Sequence, residues 1–525
     1  MHKIYENIAL CFSVTSIILC THLCASELEV DTNTSVVHIK NISFDGSIDK
    51  NEYDALNKIS KIYLDDTLNI TKIEKLKNTL SAYYKNRGML FTKVALPTQD
   101  ISNGDLKFSI IKSKVGNINI NGNNYYSTAF IKRSFGFKKG DTLSYKQMLQ
   151  SLLLLNEYED LSVKSFLKKG SSYATTDVSL EVKDERPFHG TITVDNLGSK
   201  DTSKNRISAD INYGNLLKDG DNLGFNSTFG LDSFNSDTTK LLLLNYITTP
   251  ISSYLTKINF GYLYADYITA GDLSVLELKG DTNIYTVGIK QTLIYSPVLK
   301  LDISLDYYKK EIRSYLLGEL SSKDDLGVVA LKINTKYRRI FDVYEGSIGM
   351  VQGVNGDDSL SSRYGAEAQF TKYTFKGSYN RYVNELNSFI FSVDLQYSSN
   401  RLPLCELYTI GGLSSIRGYE PAQKLGDSGY VVNAEWFFHP VLNYYNWLKN
   451  SLQIGLFVDY GEIFNNNLVA GEEKSSSLAA TGAELLVNIN KKYFARVNVG
   501  YPLHASDIMI DQSIHIYGYV GIKFW

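Results

Sequence analysis

The sequence predicts two small α+β domains followed by a large antiparallel transmembrane β-barrel. Three observations support this fold class. Residues 36–186 contain the order strand, helix, helix, strand, strand twice in succession. Residues 187–525 contain recurrent segments of about 9 to 11 alternating residues, the length of a tilted strand that crosses a bilayer. After residue 26 the sequence has no apolar run of about eighteen residues, so a closed barrel is the remaining way to span a membrane.

Composition and charge agree with an exported, strand-rich protein. The 525 residues include 38 Tyr and 24 Phe but only 8 Pro, which favours strands. The formal net charge of -2 argues against a nucleic-acid partner. Residues 1–26 combine Lys3, an apolar core and small residues at the end, which predicts a secretory signal peptide. Three of the four cysteines lie in this segment, so the mature chain keeps only Cys405 and no internal disulfide is expected.

The first α+β domain is predicted over residues 36–114. It begins with an alternating strand, and its clearest helix starts near Thr71, where Glu74 has capping-box spacing, and ends at Gly88. Two short strands flank the turn at residues 98–105 and complete the unit. The apolar residues of the helix share one face, and packing inside the domain is the simplest role for each of them.

The second α+β domain is predicted over residues 115–186 and repeats this order. A short helix at 127–135 and a longer one at 144–158 follow the first strand, and two further strands complete the domain. Small domains of this kind leave sheet edges uncovered, and an uncovered edge can pair with an extended peptide. We therefore expect the tandem domains to bind a substrate that is delivered unfolded.

The barrel is predicted over residues 187–525, with polar connections between its strands. In residues 430–438 and 456–461 the alternation separates an apolar face from a face with polar residues, as a barrel with a wet interior requires. Glu435 lies on the polar face, and we interpret it as a generic pore-lining carboxylate. The apolar face is predicted to contact lipid.

No catalytic or cofactor site is predicted. The sequence GDSG at residues 426–429 is similar to a serine-protease nucleophile motif, but no histidine lies in a matching motif, and Gly, Asp and Ser are ordinary turn formers. The histidines lack metal-ligand spacing, and the sequence has no glycine-rich phosphate loop. We therefore expect no enzymatic activity, no metal and no cofactor.

The tandem domains resemble the POTRA domains of bacterial outer-membrane transport proteins. Residues 94–123 are similar to the end of the first such domain in the transporters of two-partner secretion. Residues 152–158 and 188–199 resemble the last helix of the second domain and the entry to the barrel. Nearly the whole mature chain thus resembles the haemolysin secretion/activation proteins of the ShlB/FhaC/HecB family, in the Omp85 superfamily. This resemblance implies a barrel of sixteen strands.

Two short motifs extend the resemblance into the barrel. In the family, a re-entrant loop carries Val-Arg-Gly-Tyr or Phe at its tip, and the loop around residues 411–428 matches this motif with Ile416, Arg417, Gly418 and Tyr419. The companion motif, Phe-x-Asp-x-Gly on a barrel strand, is matched by Phe457, Asp459 and Gly461. The resemblance implies that Arg417 reaches Asp459 and pins the channel-gating loop to the inner wall. In a wet lumen such a pair contributes about 1 kcal/mol, which suits a releasable latch.

Three functions are compatible with this organisation. The first is an outer-membrane translocation pore that recognises an unfolded exoprotein of haemolysin or adhesin type and secretes it without nucleotide hydrolysis. The second is an assembly factor that inserts other barrels, although such factors generally have more POTRA domains. The third is a passive porin, which needs no periplasmic domains. For the first, we expect a bacterial outer-membrane location with periplasmic POTRA domains, and three partners: a large secreted exoprotein, outer-membrane lipid, and the barrel assembly machinery during biogenesis.

Overall fold

The computed structural model describes most of the chain after the predicted signal peptide. The described residues are 36–232, 239–251, 255–269, 277–357, 360–440, 451–506 and 513–524. The signal peptide predicted for residues 1–26 lies outside them. The chain divides into two compact units, of which the first runs to Lys114 and includes Thr142–Tyr145, and the second comprises Val115–Asp141 and the chain from Lys146 onward.

The first unit contains one α+β domain. Its elements are β1 (Val37–His38), β2 (Asn41–Gly46), α1 (Lys50–Ser60), a 3₁₀ turn (Lys61–Tyr63), β3 (Thr67–Leu68), α2 (Ile70–Asn86), β4 (Thr92–Ala95) and β5 (Asp105–Lys112). Strand β5 lies in the centre of a three-stranded sheet, parallel to β2 and antiparallel to β4. The strands β1 and β3 form a separate pair. Both edges of the larger sheet are therefore short strands.

Side-chain caps set the starts of both helices in this domain. At α1, Asp49 and Glu52 form a capping box. At α2, the side chain of Asn69 accepts a hydrogen bond from the backbone N–H of Lys72 at 2.9 Å. The sequence-based choice of Thr71 as the cap was therefore wrong by two residues, since Asn69 is itself a strong capping residue. The helices pack on the sheet through a buried apolar cluster that includes Leu56, Ile73, Leu76, Leu80 and Phe108.

The second α+β domain repeats the element order of the first. Its elements are β6 (Lys114–Asn121), α3 (Thr128–Phe135), α4 (Tyr145–Leu155), β7 (Leu161–Lys169) and β8 (Thr175–Asp184). Strand β8 lies between β6 and β7 in the sheet. Ser127 caps the start of α3, and Gly136 ends it with a φ of 74°, a left-handed conformation that glycine adopts readily. The expected tandem repeat of one α+β unit is confirmed.

Strands dominate the chain from Phe188 onward. They are β9 (Phe188–Asp195), β10 (Arg206–Gly214), β11 (Asn222–Gly230), β12 (Lys240–Ile247), β13 (Lys257–Ile268), β14 (Lys279–Tyr295), β15 (Leu299–Leu316), β16 (Glu319–Arg338), β17 (Asp342–Asp357), β18 (Thr371–Tyr382), β19 (Asn387–Ser398), β20 (Tyr408–Ile410), β21 (Lys424–Gly426), β22 (Ser428–Phe438), β23 (Leu452–Phe464), β24 (Ser475–Ile489), β25 (Tyr493–Ala505) and β26 (His515–Phe524). All but β20 and β21 form one closed barrel, in which β19 pairs with β22 and β26 closes onto β9. The prediction of two α+β domains followed by a sixteen-stranded antiparallel barrel is confirmed.

The alternation of the barrel strands places apolar side chains outside. Leu456 and Val458 of β23 are 50% and 53% exposed, whereas Phe457 and Asp459 on the other face are 2% and 0% exposed. The barrel strands range in length from 8 residues in β9 to 20 residues in β16. A strand needs roughly 10 residues to cross a bilayer, so β16 is longer than a single crossing requires. Among the described residues, no helix is long and apolar enough to cross a membrane.

The second α+β domain contacts one end of the barrel. The hydroxyl of Tyr295, at the end of β14, donates to the carbonyl of Leu153 at 3.3 Å, and Lys300 on β15 forms an ion pair with Glu157. Because successive strands run in opposite directions, the connection between β19 and β22 begins and ends at the other end of the barrel. That connection carries the candidate site.

Candidate functional site

The candidate site is formed by residues 399–427, which we call the re-entrant segment. Within it β20 pairs with β21 in a hairpin, so the intervening residues form a closed tip. Gly411 and Gly412 at the start of the tip have φ values of 113° and 85°, a left-handed backbone that side chains disfavour. This turn directs residues 416–419 against the inward faces of β22 to β25.

Arg417 makes a three-fold contact with Asp459 of β23. Its backbone N–H donates to Oδ2 of Asp459 at 3.0 Å, its Nε donates to the same oxygen at 2.9 Å, and its Nη2 donates to Oδ1 at 2.6 Å. A planar guanidinium matches both oxygens of a carboxylate in this way, whereas an ammonium group does not. The pair fixes both the position and the orientation of the tip.

Two further carboxylates face the same guanidinium. Nη1 of Arg417 lies 2.6 Å from Oε1 of Glu435 on β22 and 3.7 Å from Oε1 of Glu484 on β24. Glu435 is therefore an ion-pair partner, and its interpretation as a generic pore-lining carboxylate was wrong. Glu484 also pairs with Arg496 of β25, so two arginines and three carboxylates form one network. The sequence analysis missed Glu484 and Arg496 because they lie in no motif.

The companion motif supports this network by shape as well as charge. The Arg417 guanidinium stacks over the ring of Phe457 at 3.7 Å, a favourable cation–π geometry. Gly461 leaves room for Ile416, whose Cδ1 would lie only 3.2 Å from a Cβ at that position. Asn433 of β22 donates to Oδ1 of Asp459 at 2.8 Å and to the carbonyl of Ser415 at 2.7 Å, which links the wall to the tip.

The flanking residues of the tip fill an apolar pocket in the wall. Ile416 and Tyr419 are fully buried in a cluster with Ile410, Val431, Ile463, Leu478 and Ala480. The hydroxyl of Tyr419 donates to the carbonyl of His504 at 2.6 Å, so its polar end is satisfied as well. Burying two large side chains stabilises the seated tip by several kcal/mol, of order 1.5–3 kcal/mol each.

Close backbone contacts complete the site. A Cβ on Gly418 would lie 2.7 Å from Cβ of Ala480. A Cβ on Gly500 of β25 would lie 2.2 Å from the carbonyl oxygen of Arg417. Both glycines therefore allow the tip to touch the wall directly, and Gly500 was not identified from the sequence.

The Arg417 pair is buried rather than wet. Arg417 is 2% exposed and Asp459 is 0% exposed. Removing one member of a buried pair typically costs about 3–5 kcal/mol, because the other charge stays buried without a partner. The expectation that the pair lies in a wet lumen was therefore wrong, and loss of Arg417 alone would leave Asp459 buried without its counter-charge.

Asp427, the acidic residue of the GDSG sequence, has a structural role. It is fully buried and accepts hydrogen bonds from Nη1 of Arg363 and the backbone N–H of Leu402, each at 2.7 Å. It also accepts one from the backbone N–H of Asn466 at 2.7 Å. Next to it, Arg401 forms a bidentate pair with Glu472 at 2.6 and 2.7 Å. These contacts tie the re-entrant segment to two neighbouring connections at the same end of the barrel.

This outer cluster is expected to tolerate mild acid. The hydrogen bonds from Arg401 lower the pKa of Glu472, which lies outside the strands, from 4.5 to about 2. A depressed carboxylate pKa stabilises the folded state above the unfolded value of 4.5, and this stabilisation is lost as the pH falls toward about 2. Hydrogen exchange in residues 465–474, corrected for its intrinsic pH dependence, is therefore expected to keep the same protection between pH 7 and pH 5.

A matched pair of variants tests the assignment. Glu472→Gln is expected to raise exchange at pH 7 by about tenfold, as for the loss of one charge-assisted pair. Glu473→Gln changes a neighbouring carboxylate whose side chain is 53% exposed and lies 3.5 Å from Nζ of Lys424, and is expected to have little effect because exposed ion pairs contribute little. Equal protection in both variants, or loss of protection in the unsubstituted protein already at pH 5, contradicts the assignment.

Neither the site nor the rest of the described chain shows a metal centre. No group of three or more His, Cys, Asp and Glu side chains that could hold a metal ion occurs in the residues that the structure describes. The carboxylates at Arg417 are paired with Arg417 or Arg496, and Asp459 also accepts a hydrogen bond from Asn433. The arrangement is suited to holding a segment in place.

Comparisons with known families cover both parts of the chain. A profile of the haemolysin secretion/activation proteins ShlB/FhaC/HecB matches residues 174–485. A profile of the ShlB-type POTRA domain matches residues 37–113. A profile of the POTRA domain described as the surface antigen variable number repeat matches residues 113–165.

Individual proteins resemble the chain over nearly its full length. The heme/hemopexin transporter protein HuxB of Haemophilus influenzae is 22% identical over 475 residues, which cover 86% of this chain and 80% of HuxB. The outer membrane transporter CdiB of Dickeya dadantii is 22% identical over 476 residues, which cover 88% of this chain and 82% of CdiB. The solved structure of CdiB from Escherichia coli matches with a TM-score of 0.79 at 19% identity, over 96% of this chain and 93% of that one. At this identity the structural match concerns the fold.

Proposed function

Because this chain belongs to the haemolysin secretion/activation protein family ShlB/FhaC/HecB, we propose that it is an outer-membrane transporter of two-partner secretion. It recognises an unfolded exoprotein through its periplasmic POTRA domains and secretes it through the barrel to the cell surface. The observation that carries this proposal is the tip of the re-entrant segment, seated by a buried arginine against the inner wall of a barrel that follows two POTRA domains. HuxB and CdiB are both named as transporters.

The sheet edges of the POTRA domains are suited to capture of an extended chain. In the first domain β2 and β4 are the edges, and in the second β6 and β7 are the edges. An edge strand offers unpaired N–H and C=O groups, so it can bind a peptide through its backbone with little dependence on sequence. This favours an exoprotein that reaches the transporter unfolded.

The re-entrant segment is the proposed gate. In this proposal Ile416, Arg417, Gly418 and Tyr419 leave the wall motif formed by Phe457, Asp459 and Gly461 when the exoprotein enters. A sixteen-stranded barrel encloses a channel wide enough for water, so the seated segment keeps it closed between export events. Transport without nucleotide hydrolysis then draws its driving force from folding of the exoprotein outside the cell.

Two further partners follow from the barrel itself. Its outward apolar side chains, such as Leu456 and Val458, are proposed to contact outer-membrane lipid. Its alternating last strand, β26, is proposed to be recognised by the barrel assembly machinery during biogenesis. Both proposals describe the environment of the transporter rather than its substrate.

Deletion of the gene tests the proposed function. In the bacterium that encodes this protein, deletion is expected to remove one large exoprotein from the cell surface and the culture medium, while other outer-membrane barrels stay at their normal levels. Re-introducing the complete gene restores export. A general loss of outer-membrane barrels would instead indicate an assembly factor, and unchanged export of every exoprotein would contradict the proposal.

A further inference from the structure

Besides the tip and the outer cluster of Arg401 and Asp427, the re-entrant segment has a further ionic contact, made with strands of the barrel wall. Before β20 the segment forms a 3₁₀ turn at Leu404–Glu406, and Glu406 is 3% exposed. Its Oε1 lies 2.5 Å from Nζ of Lys310, and its Oε2 lies 2.9 Å from Nζ of Lys372. The side chains of these lysines are 16% and 11% exposed, so the whole group is largely removed from water.

This contact lies on a different part of the wall from the tip. Lys310 is on β15 and Lys372 is on β18, whereas the carboxylates around Arg417 are on β22, β23 and β24. In barrel order β16 and β17 lie between the two lysines, so both ammonium groups converge from separate strands on one carboxylate. Both lysines can contact Glu406 together only when the segment lies at one height in the barrel and close to this side of the wall.

Backbone groups reinforce the contact. The carbonyl of Glu406 accepts hydrogen bonds from Nζ of Lys372 and from Nε2 of Gln396, each at 2.9 Å. Gln396 also donates to the carbonyl of Asp427 at 3.1 Å. One side chain of β19 therefore joins the two limbs of the segment, one on each side of the tip.

The charges at the two contacts are opposite in sign. At the tip, the segment presents a cation to three carboxylates, and at the 3₁₀ turn it presents an anion to two lysines. A buried charge is tolerated only when it is paired, so each contact disfavours any position of the segment that separates the pair. The two contacts together specify both the register and the orientation of the segment.

We propose that Glu406 is a second anchor of the re-entrant segment, which holds its entering limb against Lys310 and Lys372 independently of Arg417. The inference rests on the proposed role of this segment as the gate of the channel. Movement of the segment away from the barrel strands then requires release of two ionic contacts of opposite sign, one at Arg417 and one at Glu406. The released lumen presents a lysine pair on β15 and β18 and a carboxylate group on β22 to β24.

Apolar residues next to Glu406 pack against the barrel wall, so the charge of Glu406 can be removed while this packing is kept. Leu402 is fully buried in a cluster with Leu326, Val328 and Phe370, and Leu407 packs against it. Glu406→Gln keeps the size of the side chain and this packing, but removes the charge. The variant therefore isolates the ionic contribution.

Channel recordings of the purified full-length protein in planar bilayers, with potassium chloride as the conducted salt, test the proposal. Glu406→Gln is expected to raise the fraction of time spent in conducting states by about tenfold or more, because one member of a buried ionic group is lost. Glu367→Gln, at an exposed carboxylate in the connection between β17 and β18, is the matched control and is expected to match the unsubstituted protein. Retention of the folded barrel is checked by its heat-dependent shift in gel electrophoresis.

A charge-inverted variant separates ionic positioning from simple packing. Glu406→Lys combined with Lys310→Glu and Lys372→Glu restores opposite charges, and is expected to close the channel again relative to Glu406→Lys alone. Absence of this rescue in a folded protein overturns the ionic anchor. If the triple variant does not fold, Lys310→Gln decides, since it leaves Glu406 with Lys372 and is expected to give a smaller rise in conduction, whereas no rise overturns the anchor.

Arg417→Ala in the same recordings tests the Glu406 anchor separately from the proposed gate role of the segment. If Arg417→Ala opens the channel and a folded Glu406→Gln does not, the second anchor is wrong and the gate remains. If neither variant opens the channel, the gate itself is wrong. If both open it, the double variant is expected to conduct more than either single variant, because the anchors lie on separate strands.

Discussion

Arg417→Ala is expected to reduce export of the exoprotein by about tenfold or more, while the barrel still inserts into the outer membrane. The substitution removes the contacts that the Arg417 side chain makes with Asp459 and Glu435. Losing one member of a buried ion pair costs about 3–5 kcal/mol, and ~1.4 kcal/mol already changes an equilibrium tenfold. The free-energy difference that favours the seated position of the segment is then expected to fall by a similar amount.

Export is expected to fall although the channel conducts more ions. Without Arg417 the tip is seated only by its apolar residues Ile416 and Tyr419, and Asp459 and Glu435 lack their counter-charge in the lumen. A segment that is held less firmly in the seated position leaves the wall without an exoprotein present, so its release is no longer coupled to export. Exoprotein in the medium and ion conductance in planar bilayers measure the two effects separately.

Two substitutions serve as references for this result. Arg417→Lys keeps the charge but loses the planar fork, so it is expected to retain export at an intermediate level. Arg339→Ala removes an exposed arginine in the turn between β16 and β17, and is expected to leave export unchanged. Normal export by a correctly inserted Arg417→Ala variant would count against the gate.

Part of the site was accessible from the sequence because strand geometry is periodic. Side chains two residues apart on a strand share a face, so Phe457, Asp459 and Gly461 had to face the lumen together once their neighbours were assigned to lipid. The partnership of Arg417 with Asp459 came from resemblance to the family, since nothing in the spacing of 42 residues between them specifies a contact.

The remaining site residues depend on barrel closure. Glu484 and Gly500 reach the tip only because β24 and β25 pair next to β23 in a particular register, and sequence periodicity gives a face but no register between distant strands. Glu406 lies in a loop, where no periodic pattern applies. Its partners Lys310 and Lys372 precede it by 96 and 34 residues. The partners of a buried loop charge such as Glu406 can therefore be identified only from the three-dimensional structure of the barrel.

Gly500→Ala is expected to open the channel although it leaves every charge of the site in place. A Cβ at this position would lie 2.2 Å from the carbonyl oxygen and 2.6 Å from the carbonyl carbon of Arg417. These are backbone atoms, so no side-chain rotation relieves the overlap. Gly500 is not among the glycines with positive φ, so β25 itself accepts alanine and the barrel is expected to fold.

The methyl group therefore acts on the tip rather than on the wall. Overpacking typically costs about 1–3 kcal/mol, which corresponds to a rise in the conducting fraction of about fivefold to a hundredfold. Gly346→Ala on β17 is the steric control, because its Cβ would lie 3.3 Å from the methyl group of Thr335 and 3.9 Å from the carbonyl oxygen of Lys376, without severe overlap. Since all ionic partners remain, opening by Gly500→Ala shows that the seated tip itself closes the lumen. A folded Gly500→Ala variant that conducts and exports like the unsubstituted protein means that the channel is closed elsewhere.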